Sequence, residues 1–195
     1  FGCTLTLDHD IVKGYAADSS NLPGNAQALA RPRDAQECAI ILRGCFMAGI
    51  PVTISGGRSN LTGSATPEGG VVLSTSAMAG DELHIDLEAQ CVQAPVGMII
   101  EELRTQVINR SGGKLEFPVD PTSRADAAVG GAIACNASGF TPGEAGAIRR
   151  WVAAVDFMLP DGRKISARRG EYVSRDGRFI LTGSGGAEQV VPVPR

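Results

Sequence analysis

The sequence predicts an α+β fold, built as two small α/β lobes or one continuous α/β unit in which short strands outnumber helices. Three observations predict it. Apolar residues recur at helical spacing in two stretches, and several short apolar runs are bounded by turn residues. Two long clusters of glycine and other small residues interrupt that pattern, and neither has the composition of a flexible linker.

Taken in order, residues 1–27 are polar, acidic and turn-rich, as in LDHD and ADSSNLPGN, and read as a lead-in to a main unit spanning 28–195. The chain starts at Phe1 rather than Met, so an upstream partner for this segment is expected. A helix opens near Asp34, runs through Cys38, Ile41, Leu42, Cys45 and Phe46 on its apolar face, and closes at Gly49. A buried strand follows from Pro51 to Ile54, and EGGVVLST supplies a second one. ELHIDLEAQCVQAPVG reads as two strands with a tight bend, and MIIEELRTQVINRSGG as an amphipathic helix stopped by Gly112 and Gly113. Phe117 to Gly146 is a structured loop region, too long for a turn. WVAAVDFMLPDGRKISA is a hairpin turning at Pro160, Asp161 and Gly162. Beyond it the sequence weakens into basic and glycine-rich segments.

Composition narrows the function. With 43% hydrophobic residues in 195, a real core is available. A net charge of −3 leaves no basic footprint for nucleic acid. The run Arg163, Lys164, Arg168, Arg169, Arg175 and Arg178 has only Tyr172 and Phe179 as interleaved aromatics, so it reads as a solvated face or a docking surface for another domain. No apolar run is long enough for a membrane span and no signal peptide is evident, so the expected location is cytoplasmic. The cysteines Cys3, Cys38, Cys45, Cys91 and Cys135 form no C-x-x-C pair and read as reduced and mostly buried. With His9 and His84 as the only histidines, a zinc cluster is not expected.

The stretch TISGGRSNLTG, residues 53–63, leaves a strand and carries three glycines, several short donors and Arg58. Glycine permits the backbone turns that aim successive amides at an anion, and Arg58 adds a possible charge-assisted contact. The P-loop and dinucleotide fingerprints do not match, because the loop runs into another strand rather than a helix. Gly56, Gly57, Ser59, Asn60 and Gly63 are the expected phosphate cradle, and a long surface turn is the alternative. The second cluster decides between them. FPVDPTSRADAAVGGAIACNASG, residues 117–139, holds small side chains from Ala127 onward apart from Val129, Ile133, Cys135 and Asn136, which suits backbone lying against a flat ligand. Close helix packing is the competing explanation.

Both clusters, in this order, resemble the PCMH-type FAD-binding domain of the vanillyl-alcohol oxidase superfamily, and within it the FAD-linked oxidases of the D-lactate dehydrogenase and glycolate oxidase D-subunit group. The resemblance is carried by ALARPRDAQE (28–37), GIPVTISGGRSNLTG (49–63), GGVVLSTSAM (69–78), QAPVG (93–97), residues 117–139 and WVAAVDFMLPDG (151–162). It implies two α+β subdomains clasping FAD, with the glycine loop on the diphosphate. The cofactor-binding residues it implies are Ser55, Gly56, Gly57, Arg58, Ser59, Asn60 and Gly63 in the loop. Along the flavin and its ribityl chain they are Pro118, Asp120, Pro121, Thr122, Ser123, Val129, Gly130, Gly131, Ala134, Asn136, Ala137, Ser138 and Gly139. The implied activity is oxidation of a small D-2-hydroxy acid such as lactate or glycolate, by hydride transfer to flavin.

Several residues depart from the family pattern. In the family's R-G-G-G-T-S-x-x-G loop, Ser55 stands for the arginine and Arg58 for the third glycine. No histidine offers a covalent flavin anchor in the loop, and His84 reads as an ordinary side chain. Cys135 reads as a small buried hydrophobe. FTPGEAGAIRRW replaces the tyrosine and glycine that often follow N-A-S-G. A further G-S-E-G-T-L-G segment, a cap domain and an iron-sulfur region do not appear by Arg195, so the unit is expected to be incomplete and inactive alone, with catalytic residues elsewhere. A remnant or interaction module that holds no FAD is the alternative function, and a peptidoglycan-precursor reductase a third. Gly57→Val is expected to abolish FAD binding with the fold intact.

Overall fold

The computed structural model describes residues 4–80, 83–140, 146–182, 186 and 188–193. Cys3 and most of FTPGE fall outside the described residues. The first subdomain is a four-stranded sheet of β1 (Thr4–Thr6), β2 (Ala28–Arg31), β3 (Val52–Ser55) and β4 (Val71–Ser74), in the spatial order β1-β2-β4-β3. β4 runs parallel to both β2 and β3, and β1 is antiparallel to β2. The lead-in therefore contributes an edge strand and a short helix, α1 (His9–Lys13), whose Val12 packs with Leu29 and Val72.

The helix α2 (Ala35–Ala48) connects β2 to β3. Its start is fixed by chemistry the sequence displays. The Asp34 carboxylate accepts from the Glu37 amide at 2.8 Å, and the Glu37 carboxylate accepts from the Arg33 amide at 2.9 Å and its guanidinium at 2.7 Å. Those Arg33 hydrogen bonds hold the Glu37 carboxyl below its ordinary range. Gly49 at φ 64° ends the helix in the left-handed region, where glycine carries no Cβ penalty. Cys38 and Leu42 pack on Leu73 of β4.

Parallel strands need a crossover, and β3 is joined to its neighbour β4 by residues 56–70, the glycine loop itself. β3 is an edge strand rather than the fully buried one expected, with Ile54 51% exposed. An apolar run reads alike at the edge and the centre of a sheet.

A 3-10 turn at Thr75–Met78 leads to the hairpin of β5 (His84–Asp86) and β6 (Cys91–Gln93), then to α3 (Ile100–Arg110), stopped by Gly112 and Gly113 at positive φ. The second core joins Met98, Ile100, Leu103 and Val107 to Val119, Val129, Ala132 and Ile148. The expected loop region contains a helix the sequence conceals, α4 (Val129–Ala134), followed by a 3-10 turn at Ile148–Arg150. The hairpin of β7 (Ala154–Met158) and β8 (Lys164–Arg168) turns through Gly162 as expected and docks there on α2, where a Cβ would lie 2.6 Å from the Ala39 carbonyl oxygen. A further hairpin, β9 (Arg178–Thr182) with β10 (Glu188–Pro192), occupies the basic and glycine-rich segment in which the sequence marks no element. No helix of the described residues is long and apolar enough to cross a membrane.

Two expectations about thiols need correction. Cys38 and Cys45 are buried, and burial pushes the Cys45 thiol up, but Cys91 and Cys135 are exposed. Cys91 begins the outer hairpin strand β6, and Cys135 caps the C-terminal end of α4, so neither reaches a core.

Candidate functional site

The two small-residue clusters, distant in sequence, meet in space. β3 delivers Ser55 to the end of the sheet, fully buried, with its carbonyl accepting from the Thr75 hydroxyl at 3.4 Å. A Cβ on Gly56 would lie 3.5 Å from the Ala128 Cβ. One on Gly57 would overlap the Asp126 carbonyl oxygen and sit 3.2 Å from the Ala127 Cα. Only glycine allows that approach. The expectation that Gly57→Val spares the fold is therefore corrected, because valine would force the two segments apart.

Among the described residues no acceptor takes the backbone N–H of Gly57, Arg58, Ser59 or Asn60, residues that are themselves half-buried. A run of amides without protein partners marks a place where an external acceptor is favoured. The Ser55 hydroxyl is also buried without a partner among the described residues. The loop keeps its shape through Asn60, whose Oδ1 accepts from the Thr62 amide and hydroxyl at 3.1 Å and from the Ser64 amide at 3.2 Å.

Not every expected residue faces this opening. Arg58, at φ 56°, turns its side chain back over the Tyr15 ring, 4.4 Å from the centroid, and donates to the Gly14 carbonyl. Gly63 lies against the lead-in, where a Cβ would come 2.6 Å from Leu22 Cδ1. The sequence reading missed Asp18. The residue is only 7% exposed, and its carboxylate accepts from the Ser20 amide at 2.9 Å and the Ala65 amide at 3.1 Å. Burial pushes its pKa up, yet the hydrogen bonds from Ser20, Ala65 and Asn60 outweigh it and hold the value at about 2. No short-range signal marks Asp18, because Ala65 is far along the chain.

The second cluster is held by backbone. The Ser123 carbonyl accepts from the amides of Asp126 at 2.9 Å and Ala127 at 2.7 Å. The next stretch pairs with residues 96–100: Ile100 N–H donates to Ala127, Val129 N–H to Met98, and Gly130 N–H to Val96. A Cβ on Gly130 would overlap the Val96 side chain, whereas one on Gly131 would meet nothing within 4 Å. The Val129 side chain and Pro121 are buried. Gly139 presses on Asp120, where a Cβ would lie 2.6 Å from the Asp120 amide nitrogen. Asp120 lies 4.0 Å from Arg124, which pairs with Glu101 at 2.6 Å. Asn136, at φ 49°, accepts from the Arg149 amide at 3.4 Å. Pro118, Ser123 and Ala137 are half-buried, while Thr122, Ala134 and Ser138 are exposed.

A separate open groove of about 510 Å³ lies between α4's Ile133 and the β7–β8 hairpin, bordered by Arg149, Arg150, Arg168 and Arg169. Half of the basic run beside it has side chains engaged locally. Arg163 pairs with Asp161 at 2.7 Å, Lys164 with Asp156 at 2.6 Å, and Arg169 donates to the Val152 carbonyl at 2.8 Å. His84 is exposed in β5. The described residues bring together no group of three or more metal-ligating side chains.

The chain is similar to several known proteins. The chain is 31% identical over 168 residues to the D-lactate dehydrogenase of Archaeoglobus fulgidus, covering 84% of this chain and 36% of that protein. It is 26% identical over 171 residues to the mitochondrial D-2-hydroxyglutarate dehydrogenase of Bos taurus, covering 86% of this chain and 31% of that one. The chain thus spans about a third of the length of these relatives. Among solved structures it is similar to 6-hydroxy-D-nicotine oxidase from Arthrobacter nicotinovorans, with a TM-score of 0.71 at 18% identity, covering 88% of this chain and 37% of that one. A family model for the FAD binding domain matches residues 26–168, from just before β2 to the end of β8. The chain belongs to this FAD-binding, PCMH-type domain family of FAD-linked oxidoreductases.

Proposed function

We propose that the chain is the flavin-holding part of an oxidoreductase acting on a D-2-hydroxy acid such as lactate or glycolate. The substrate class is suggested by the named relatives, whose lactate and 2-hydroxyglutarate share an α-hydroxycarboxylate. The observation that carries the cofactor role is the run of unpartnered amides from Gly57 to Asn60, beside the buried, unpartnered Ser55 hydroxyl. These donors suit a diphosphate, and the open face at Gly131 admits a flat group against backbone.

In this reading Gly56, Gly57, Arg58, Ser59 and Asn60 hold the diphosphate through backbone, with Ser55, Ser59 and Gly63 supporting the turn. The face from Pro118 to Ser123 and from Val129 to Gly139 orients the flavin and ribityl chain. Gly130 and Gly139 serve by permitting close packing beneath that face. When bound, FAD supplies the hydride-accepting chemistry. We assign substrate binding and proton transfer in the whole enzyme to a cap domain outside the region shared with this chain, joined in some members by an iron-sulfur region.

The test is titration of the purified protein with FAD, followed by flavin fluorescence and absorption. A saturable change with one FAD per chain is expected. A protein that stays colourless and leaves flavin fluorescence unchanged would instead match a remnant that holds no cofactor.

A further inference from the structure

The family match begins at residue 26, yet residues 14–22 touch the glycine loop at three of its positions. The Arg58 guanidinium donates to Gly14 and covers Tyr15; the Ala65 amide donates to the Asp18 carboxylate; Gly63 packs on Leu22. At the centre, the Ser19 amide and hydroxyl both donate to the Arg58 carbonyl, at 3.0 and 3.2 Å. That contact has a directional consequence. A trans peptide is planar, so fixing the Arg58 C=O toward the lead-in turns the Ser59 N–H to the opposite side, away from it. Ser19 is in turn held by the Asp18 turn, in which the Ser20 amide donates to the Asp18 carboxylate and the Asn21 amide to the Asp18 carbonyl at 3.2 Å.

We propose that residues 14–22 are a working part of the cofactor site, in which Asp18 and the Arg58 side chain are positioning residues that aim the loop amides, Ser59 above all, at the FAD diphosphate. The proposal rests on the reading that this loop holds the diphosphate. It reassigns Arg58 from an electrostatic contact to a tether, since its guanidinium is spent on Gly14 and Tyr15. It also gives a carboxylate a favourable role beside an anion. Direct electrostatics would make Asp18 repel a diphosphate, so any benefit from Asp18 comes through geometry, and the sign of its effect separates the two.

The experiment measures the Kd for FAD, by fluorescence, in the unaltered chain and in Asp18→Ala, Asp18→Asn and Arg58→Gly, with thermal midpoints taken in parallel and all titrations well below them. Asp18→Ala is expected to weaken binding about tenfold, while Asp18→Asn, which keeps one acceptor for Ser20 but sets its NH2 against the Ala65 N–H, recovers only part of the loss. Arg58→Gly keeps the backbone amide, suits the left-handed φ and so folds, and is expected to weaken binding about threefold. Tighter binding in both Asp18 variants would mean that the carboxylate acts as a simple repelling charge, and would overturn the proposal. Equal affinity in all four proteins would overturn it as well, leaving the cofactor reading in place. An unaltered chain that binds no FAD would remove the cofactor reading and the proposal together.

Discussion

The glycine loop and the 118–139 segment look alike in sequence but are built in opposite ways. The loop is shaped by acceptor side chains of Asn60 and Asp18 and by the donors of Ser19, and among the described residues its own amides from Gly57 to Asn60 have no partner. The segment is shaped by its own amides, paired with residues 96–100, and its glycines are consumed by close packing at Gly130 and Gly139. A glycine-rich stretch can therefore be a ligand cradle or a packing seam. What separates them is where the backbone N–H groups go.

Substitutions that treat the glycines unequally test this contrast, and the largest effect is expected at the point where the two regions touch. Gly57→Val would drive a side chain into Asp126 and Ala127, costing about 3 kcal/mol of stability. Thermal denaturation should show the loss together with loss of FAD binding. A variant with unchanged stability would mean that the regions do not touch there.

The next effect is the pH dependence of the loop's anchor. Asp18 titrates at about 2 in the folded chain against an ordinary 3.8. The folded value is depressed, so the stabilisation is complete above 3.8 and is lost as pH falls through about 2. Denaturant titrations should show Asp18→Ala less stable by about 1–2 kcal/mol at neutral pH, with the gap narrowing in acid. A gap independent of pH would mean that the carboxylate's charge plays no part.

A smaller change of opposite sign is expected in the segment. Gly131 lies in α4 with open space around it, so Gly131→Ala should stabilise the fold by about 0.5–1 kcal/mol. The same methyl would stand on the proposed flavin face and weaken FAD binding. Stabilisation without loss of affinity would take Gly131 out of the site. The smallest effect belongs to the Lys164 and Asp156 pair on the outer hairpin, about half exposed on both sides. Lys164→Ala should cost less than about 1 kcal/mol and leave FAD affinity unchanged.

Legibility followed the range of the interaction. Helix α2 was readable because the Cys38, Leu42 and Cys45 spacing lies within it and its caps, Asp34 and Gly49, flank it directly. The glycine loop stood out for the same local reason. Helix α4 was hidden because two of its six residues are glycine, and pairing with residues 96–100 supplies what propensity does not. Asp18 was hidden because its partner Ala65 is 47 residues away. The wrong expectations for Ile54 and Cys135 share one cause, since an apolar residue does not announce whether it sits at an edge, a helix end or a centre.

The central claim, that the amides from Gly57 to Asn60 receive the FAD diphosphate, is tested most directly by backbone amide NMR of the chain during FAD addition. The account predicts the largest shift changes at Gly57, Arg58, Ser59 and Asn60, smaller ones at Gly130 and Gly131, and none at Gly112 and Gly113. Saturable FAD binding with the loop amides unmoved, and shifts gathered instead at Arg149, Arg150 and Arg168 around the separate groove, would contradict it.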